Sequence, residues 1–290
     1  GYKRNTTPNL CQFGEKNIKF IEAISQGYTS GATASIFTSQ YPDVHDLKNH
    51  NDKLPESHTT MAEILSKNSY QSIAFPSVPS KNDAFLHRGY NLDQGFEKYY
   101  QGGYSLEDNY NKFKLWDGKT GTPFFAFIQG FDPHSYINFN SSLETHYRSE
   151  KKPEKTREIV NSDYKAEVWD IVMRNNSYYL KKEDGGLKKL EEADINFIQD
   201  KYDDSLKQAD KSFGKLMEYL KSQGLYSESL IIVYSSRGEM LDSKSFSEEN
   251  RRFGPGQIWE NSIHVPLMIH IPEETETTVD TQVELIDILP

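Results

Sequence analysis

The sequence predicts an α/β fold, a mostly parallel sheet covered by helices. Two observations lead there: short apolar runs bounded by turn residues recur along the chain, and helical patterns fall between several of them. The runs are Lys19–Ile24, Tyr70–Phe75, Phe124–Ile128, Ser229–Tyr234 and Pro266–Ile271, each short enough for a buried strand.

The helical segments follow in order. Ala32–Ser39 comes after the first run, and Thr59–Lys67 sets Met61, Ile64 and Leu65 at helical spacing behind a threonine suited to an N-cap. The longest pattern runs from about Glu191 to Gln223, where Phe197, Ile198, Tyr202, Leu206, Phe213, Leu216, Met217 and Leu220 form one apolar stripe. Gly224 is placed to end it in the left-handed conformation. Between Asn138 and Gly186 the composition turns to mixed charge, as in RSEKKPEKTRE and KKEDGG. That stretch predicts a charged surface insertion, about 138–186, in a single domain spanning 1–290.

Composition narrows the function classes. With 290 residues, 36% of them hydrophobic, the chain can bury one large core. Its 43 acidic against 33 basic residues give a net charge of -10, which argues against nonspecific nucleic-acid binding. Cys11 is the only cysteine, so neither a disulfide framework nor a cysteine-rich zinc site forms within the chain. No apolar stretch approaches the roughly 20 residues of a membrane span. No signal-peptide pattern opens the sequence, yet the chain starts on Gly1 rather than Met, so the compartment stays undecided.

Five blocks carry a resemblance. RNTTPNLCQFGEKNIKFIEAISQGYTSGATASIFTSQYPDVH, LPESHTTMAEILSKNSYQSIAF, FFAFIQGFDPHS, KYDDSLKQADKSFGKLMEYLKSQGLYSESLIIVYSSRGE and FGPGQIWENSIHVPLMIHIP occur in an order and at spacings similar to those of the sulfatase family of the alkaline phosphatase superfamily. The charged insertion is unmatched. The resemblance implies a three-layer α/β sandwich. It also implies that both ends fall within the fold, since relatives carry an aspartate-bearing strand before the Thr-Thr-Pro-Asn-Leu segment and continue into a further helix after VELIDILP.

The resemblance also implies a site. Relatives place a nucleophile at a helix N-terminus, where backbone N–H groups and the helix dipole favour an anion. Thr29 takes that place here, with Ser30 beside it. The family's Cys/Ser-x-Pro-x-Arg motif is replaced by Thr29, Ser30, Gly31, Ala32 and Thr33, which implies that no formylglycine forms. A threonine nucleophile is an alternative, because phosphotransferase branches of the superfamily use one; a helix cap built from Thr29 and Ser30 is the plainer reading. The family's metal turn, usually Asp-His-Gly-Glu, reads Ser236, Arg237, Gly238, Glu239. Ser236 removes an anionic ligand, and Arg237 puts a permanent cation where another is meant to sit. Pro255 replaces a donor of the FGPGQ turn, whereas His134 of FDPHS matches a substrate-site histidine and His45 follows the Tyr-Pro as in relatives, where packing is its expected role.

The expectations are therefore these. The catalytic candidate is Thr29, the substrate-binding candidates are His134, Arg237 and Ser30, and the degenerate metal positions are Glu239 and Ser236. The cofactor is a divalent cation if the site is active, calcium or magnesium with zinc or manganese as alternatives, and none otherwise. The partner is an anionic sulfate or phosphate ester. Three readings stay open: a weakened or inactive sulfatase-like domain, which includes a scaffold that binds sulfated or phosphorylated ligands; an active metal-dependent hydrolase or phosphotransferase using Thr29; and an interaction domain whose contact surface is the insertion.

Overall fold

The computed structural model describes residues 4–49, 52–77, 86, 88–118, 121–134, 171–174, 177–181, 185–239 and 260–289. They fall in two compact units, a larger one of residues 9–131, 211–238 and 257–290 and a smaller one of residues 1–8, 132–210 and 239–256.

In chain order the helices are α1 (Pro8–Glu15), α2 (Thr29–Thr38), α3 (Pro42–His45), α4 (Met61–Lys67), α5 (Leu106–Leu115), α6 (Glu192–Ser222) and α7 (Glu260–Ile263). The strands are β1 (Ile18–Ile24), β2 (Gln71–Phe75), β3 (Lys98–Tyr99), β4 (Phe124–Ile128), β5 (Ile171–Arg174), β6 (Ser177–Lys181), β7 (Leu187–Lys189), β8 (Ile231–Tyr234), β9 (His264–His270), β10 (Thr277–Val279) and β11 (Val283–Glu284). All five predicted apolar runs are strands, and the three predicted helical segments are α2, α4 and α6.

The larger unit holds a sheet of order β10-β1-β9-β8, with β11 also on β1, and a second of order β3-β2-β4. Every pairing of β1 with β10 and β11, and of β2 with β3 and β4, is parallel. β9 departs from the parallel expectation, running antiparallel to both β1 and β8. The reason is local: the chain enters β9 from α7 at the end where β1 finishes, the Ser25 N–H donating to the Ile263 carbonyl at 2.8 Å. From that end the only way into the sheet is backwards.

Helices cover both faces, and the period of two along each strand shows how. Val265 and Leu267 of β9 join Ala34, Ile36 and Phe37 of α2 in one core, together with Ile232 and Tyr234 of β8. Met268 of β9 and Ile231 and Val233 of β8 face the other, among Phe13 of α1, Tyr110 and Phe113 of α5, and Phe213, Leu216, Met217 and Leu220 of α6. Each large apolar side chain fully buried there contributes about 1.5–3 kcal/mol. Phe13 meets Phe213 edge to face at 5.4 Å, and Phe37 meets Phe127 likewise at 5.2 Å.

The helix ends are set by short-range chemistry. Thr60 caps α4: its hydroxyl accepts from the Glu63 N–H at 3.2 Å while the Glu63 carboxylate accepts from the Thr60 N–H at 2.8 Å. Just past the C-terminal end of α6, the longest helix among the described residues, Gly224 has φ +70°. Its N–H donates to the Lys221 carbonyl at 3.1 Å and the Leu225 N–H to the Leu220 carbonyl at 2.9 Å, which closes α6 in a Schellman motif.

In the smaller unit, β5, β6 and β7 form an antiparallel sheet. β5 and β6, with Gly185 and Gly186, are the described part of the predicted insertion, and β7 follows it; residues 135–170 lie outside the described residues, as does Pro255. Arg4 bridges Asp200 at 2.7 Å and Asp203 at 2.6 Å, two carboxylates sunk in the protein. Burial by itself would lower the guanidinium pKa, but the bonds to Asp203 and Asp200 outweigh it and hold Arg4 above the ordinary arginine value.

Thr60 is fully buried and its hydroxyl also donates to the Gln94 carbonyl at 2.9 Å. Thr60→Ala is expected to cost about 1–2 kcal/mol, read as a lower urea midpoint with an unchanged slope.

Candidate functional site

The candidate site is built at the sheet end where β1 and β8 both finish, on either side of the start of β9. After Ile24 the chain turns through Ser25–Tyr28 into α2, with Gly27 at φ +111°, a conformation a side chain would strain. Ser25 ties this turn to its neighbours: its N–H donates to the Ile263 carbonyl, and its hydroxyl donates to the Ser236 carbonyl just past β8. A second clasp lies beside it, the Gly238 N–H donating to the Ser262 carbonyl at 2.7 Å. Gly238 is required there because a Cβ would stand 2.1 Å from the Asn261 carbonyl oxygen.

On the α2 side, Tyr28 is the N-cap residue and provides no side-chain cap. Thr29 and Ser30 are therefore the first two helical residues rather than the cap expected from their composition. The first helical hydrogen bond runs from the Ala32 N–H to the Tyr28 carbonyl at 2.8 Å, so the amides of Thr29, Ser30 and Gly31 have no partner within the helix. Such a turn attracts an anion. Thr29 is 4% exposed and Ser30 2%, and the Ser30 hydroxyl has no hydrogen-bond partner among the described residues. Thr33, in the place of the family's arginine, folds back instead, its hydroxyl donating to the Thr29 carbonyl at 2.6 Å. Burial, then the Asp52 charge, push the Tyr28 phenol up to about 12, so it stays protonated at neutral pH.

On the β8 side, Ser235 donates from its hydroxyl to the Arg237 carbonyl at 2.6 Å, and the Arg237 guanidinium donates to the Gly238 carbonyl at 3.0 Å. Ser236 and Arg237 are half-buried. This turn offers a hydroxyl and a guanidinium where a divalent cation needs carboxylate or imidazole, so these two residues do not fit the metal that the family pattern implies. Thr29, Ser30, Ser236 and Arg237 are thus brought to one end of one sheet by the Ser25 clasp. Glu239 and His134 belong to the smaller unit and are described by themselves: Glu239 is half-buried beyond the turn, and His134 is half-buried at the end of the 3-10 turn Asp132–His134.

His45 is completely buried and structural. Its Nδ1 accepts the Leu47 N–H at 3.1 Å, and its Nε2 lies 3.0 Å from the Ser35 hydroxyl. An Nδ1 that accepts leaves the imidazole neutral, with its proton on Nε2.

Sequence reasoning missed two features. Ser25 carries no motif of its own; the only signal is a hydroxyl residue at a strand end ahead of a glycine turn. The second is an exposed group, Glu22, Glu260 and His264, whose potential ligand atoms all lie within 4.8 Å of one another. The Glu-x-x-x-His spacing in ENSIH was its visible trace.

Two outcomes are expected from this geometry. Burial lowers the His45 pKa below the unfolded value, so the unfolded chain takes up the proton first. Stability is then complete above about pH 6.5 and is lost as pH falls below it toward the folded value, and urea midpoints across that window should depend less on pH in His45→Gln. Gly238→Ala forces the β8 turn away from Asn261 and should cost about 1–3 kcal/mol, measured by urea unfolding.

Comparison with known proteins agrees with this architecture. The phosphonate monoester hydrolase of Agrobacterium radiobacter superposes with a TM-score of 0.71 at 17% identity, covering 98% of this chain and 67% of that one. The lipoteichoic acid synthase of Listeria monocytogenes superposes with a TM-score of 0.61 at 17% identity, covering 98% and 64%. Among curated proteins, an ulvan-active sulfatase of Formosa agariphila is 21% identical over 98% of this chain, which spans 55% of that protein. The family model described as Sulfatase matches residues 1–290. The chain therefore belongs to the sulfatase family and has the α/β fold of the alkaline phosphatase superfamily.

Proposed function

We propose that this domain binds a sulfate or phosphate ester at the first turn of α2 and turns it over weakly or not at all. The observation that carries the reading is the β8 turn: Ser236 and Arg237 stand where the family pattern has two metal ligands, and Arg237 supplies a fixed positive charge instead. A guanidinium recognises sulfate and phosphate oxygens in pairs without any metal. The amides of Thr29–Gly31, which no helical bond uses, and the buried Ser30 hydroxyl support the same anion. The relatives named for sulfatase and phosphonate monoester hydrolase activity support a tetrahedral anionic ester as the ligand class.

The second reading, hydrolysis or phosphoryl transfer through Thr29, is favoured by one observation. Thr29 begins a ten-residue helix, in the position that suits a nucleophile facing an anion. The replacement of the arginine by a back-bonded Thr33 weighs against it.

Calorimetric titration with p-nitrophenyl sulfate and with phenylphosphonate separates the readings. Saturable binding is expected, weakened on the order of 10-fold in Arg237→Ala. Turnover of p-nitrophenyl sulfate and of a p-nitrophenyl phosphonate monoester, assayed with calcium, magnesium, manganese and zinc in turn, should stay at background. Metal-dependent turnover that disappears in Thr29→Ala would replace this reading with the second.

A further inference from the structure

We infer that Glu22, Glu260 and His264 form a surface site for a borderline divalent transition ion, zinc first and cobalt or nickel in its place, outside the ester site. Glu22 lies where the register of β1 against β9 shifts between Phe20 and Ala23. That bulge breaks the alternation of the strand and leaves Glu22 exposed on the same surface as the first residues of α7 and β9. The three backbones are held together: Ala23 pairs with Val265, Ile24 with His264, and Ser25 with Ile263.

The imidazole is set up as a ligand. Its Nε2 lies 2.7 Å from the Ile21 carbonyl oxygen. A carbonyl only accepts, so Nε2 carries the proton, and in the neutral ring Nδ1 carries the lone pair. Metal-bound histidines are oriented in this way, with the far N–H given to a carbonyl or carboxylate. Nδ1 is 3.7 Å from the Glu260 carboxylate, too long for a hydrogen bond. The potential ligand atoms of Glu22, Glu260 and His264 all lie within 4.8 Å of one another, so a cation between them would be held by all three.

Two carboxylates and one neutral imidazole total two negative charges, which a divalent ion balances. A nitrogen ligand in a mixed N/O set favours zinc, cobalt or nickel over calcium or magnesium, which take oxygen. All three residues are exposed, so water completes the coordination and the ion exchanges with solvent.

The test is titration of the 290-residue chain with zinc alone, followed by calorimetry and by competition with a zinc-sensitive dye. One saturable equivalent is expected, and His264→Gln and the double variant Glu22→Gln/Glu260→Gln should each weaken it by at least about 10-fold, as loss of one supporting group already does. His58→Gln, at a histidine outside the group, should bind as the parent does, which separates the site from zinc scattered over histidines. Cobalt should give d–d absorption bands that vanish in His264→Gln. The site is overturned if no saturable equivalent is found, if the variants bind as the parent does, or if His264 and Glu260 prove to be only an ion pair whose loss changes pH dependence but not zinc binding. Because the variants keep Arg237 and α2, their ester binding should be unchanged, so failure here leaves the ester-binding reading standing.

Discussion

Ser25 is the residue on which the rest of the site depends. Through one N–H and one hydroxyl it joins three chain segments that are far apart in sequence: the end of β1, the turn after β8 and the start of β9. Neither bond is large in free energy; a hydrogen bond nets about 1 kcal/mol. Their effect is geometric. They fix the first turn of α2 against the Ser235–Gly238 turn, and they bring the chain into β9 from the end that makes it antiparallel. Gly238, with no room for a Cβ, and the bond from its N–H to Ser262 complete the clasp.

Much of the architecture was legible in the sequence, because the runs that became β1, β2, β4, β8 and β9 are short, largely apolar and bounded by turn residues, and the stripe of α6 keeps helical period over its whole length. β10 and β11 were not legible. TETTVD and QVEL are short and polar, and they become strands only because β1 offers them an edge to pair with. The reversed direction of β9 was hidden for a related reason: apolar periodicity reports burial, whereas direction is decided by where the chain enters, here by a backbone contact with Ser25.

The site divides in the same way. Thr29, Ser30, Ser236 and Arg237 were named from the family pattern, and the two turns that carry them leave the same end of the sheet. Their local roles were less visible. Composition made Thr29 and Ser30 a helix cap, but a cap needs a side chain reaching back to an amide, and Tyr28 occupies that position without doing so. Ser25 and the Glu22–Glu260–His264 group escaped because each depends on a contact between residues that are more than two hundred positions apart.

The bulge in β1 also bears on which changes the fold can absorb. Along β9, odd residues fill the core under α2 while Met268 fills the core under α6, so an inserted or deleted residue would send every later side chain to the wrong face. β9 is thus a strand whose length is locked. β1 already carries its irregularity between Phe20 and Ala23, with regular pairing restored on either side. A residue gained or lost in this sheet is absorbed most easily at that irregularity, and a side chain displaced there, as Glu22 is, becomes surface available for new chemistry.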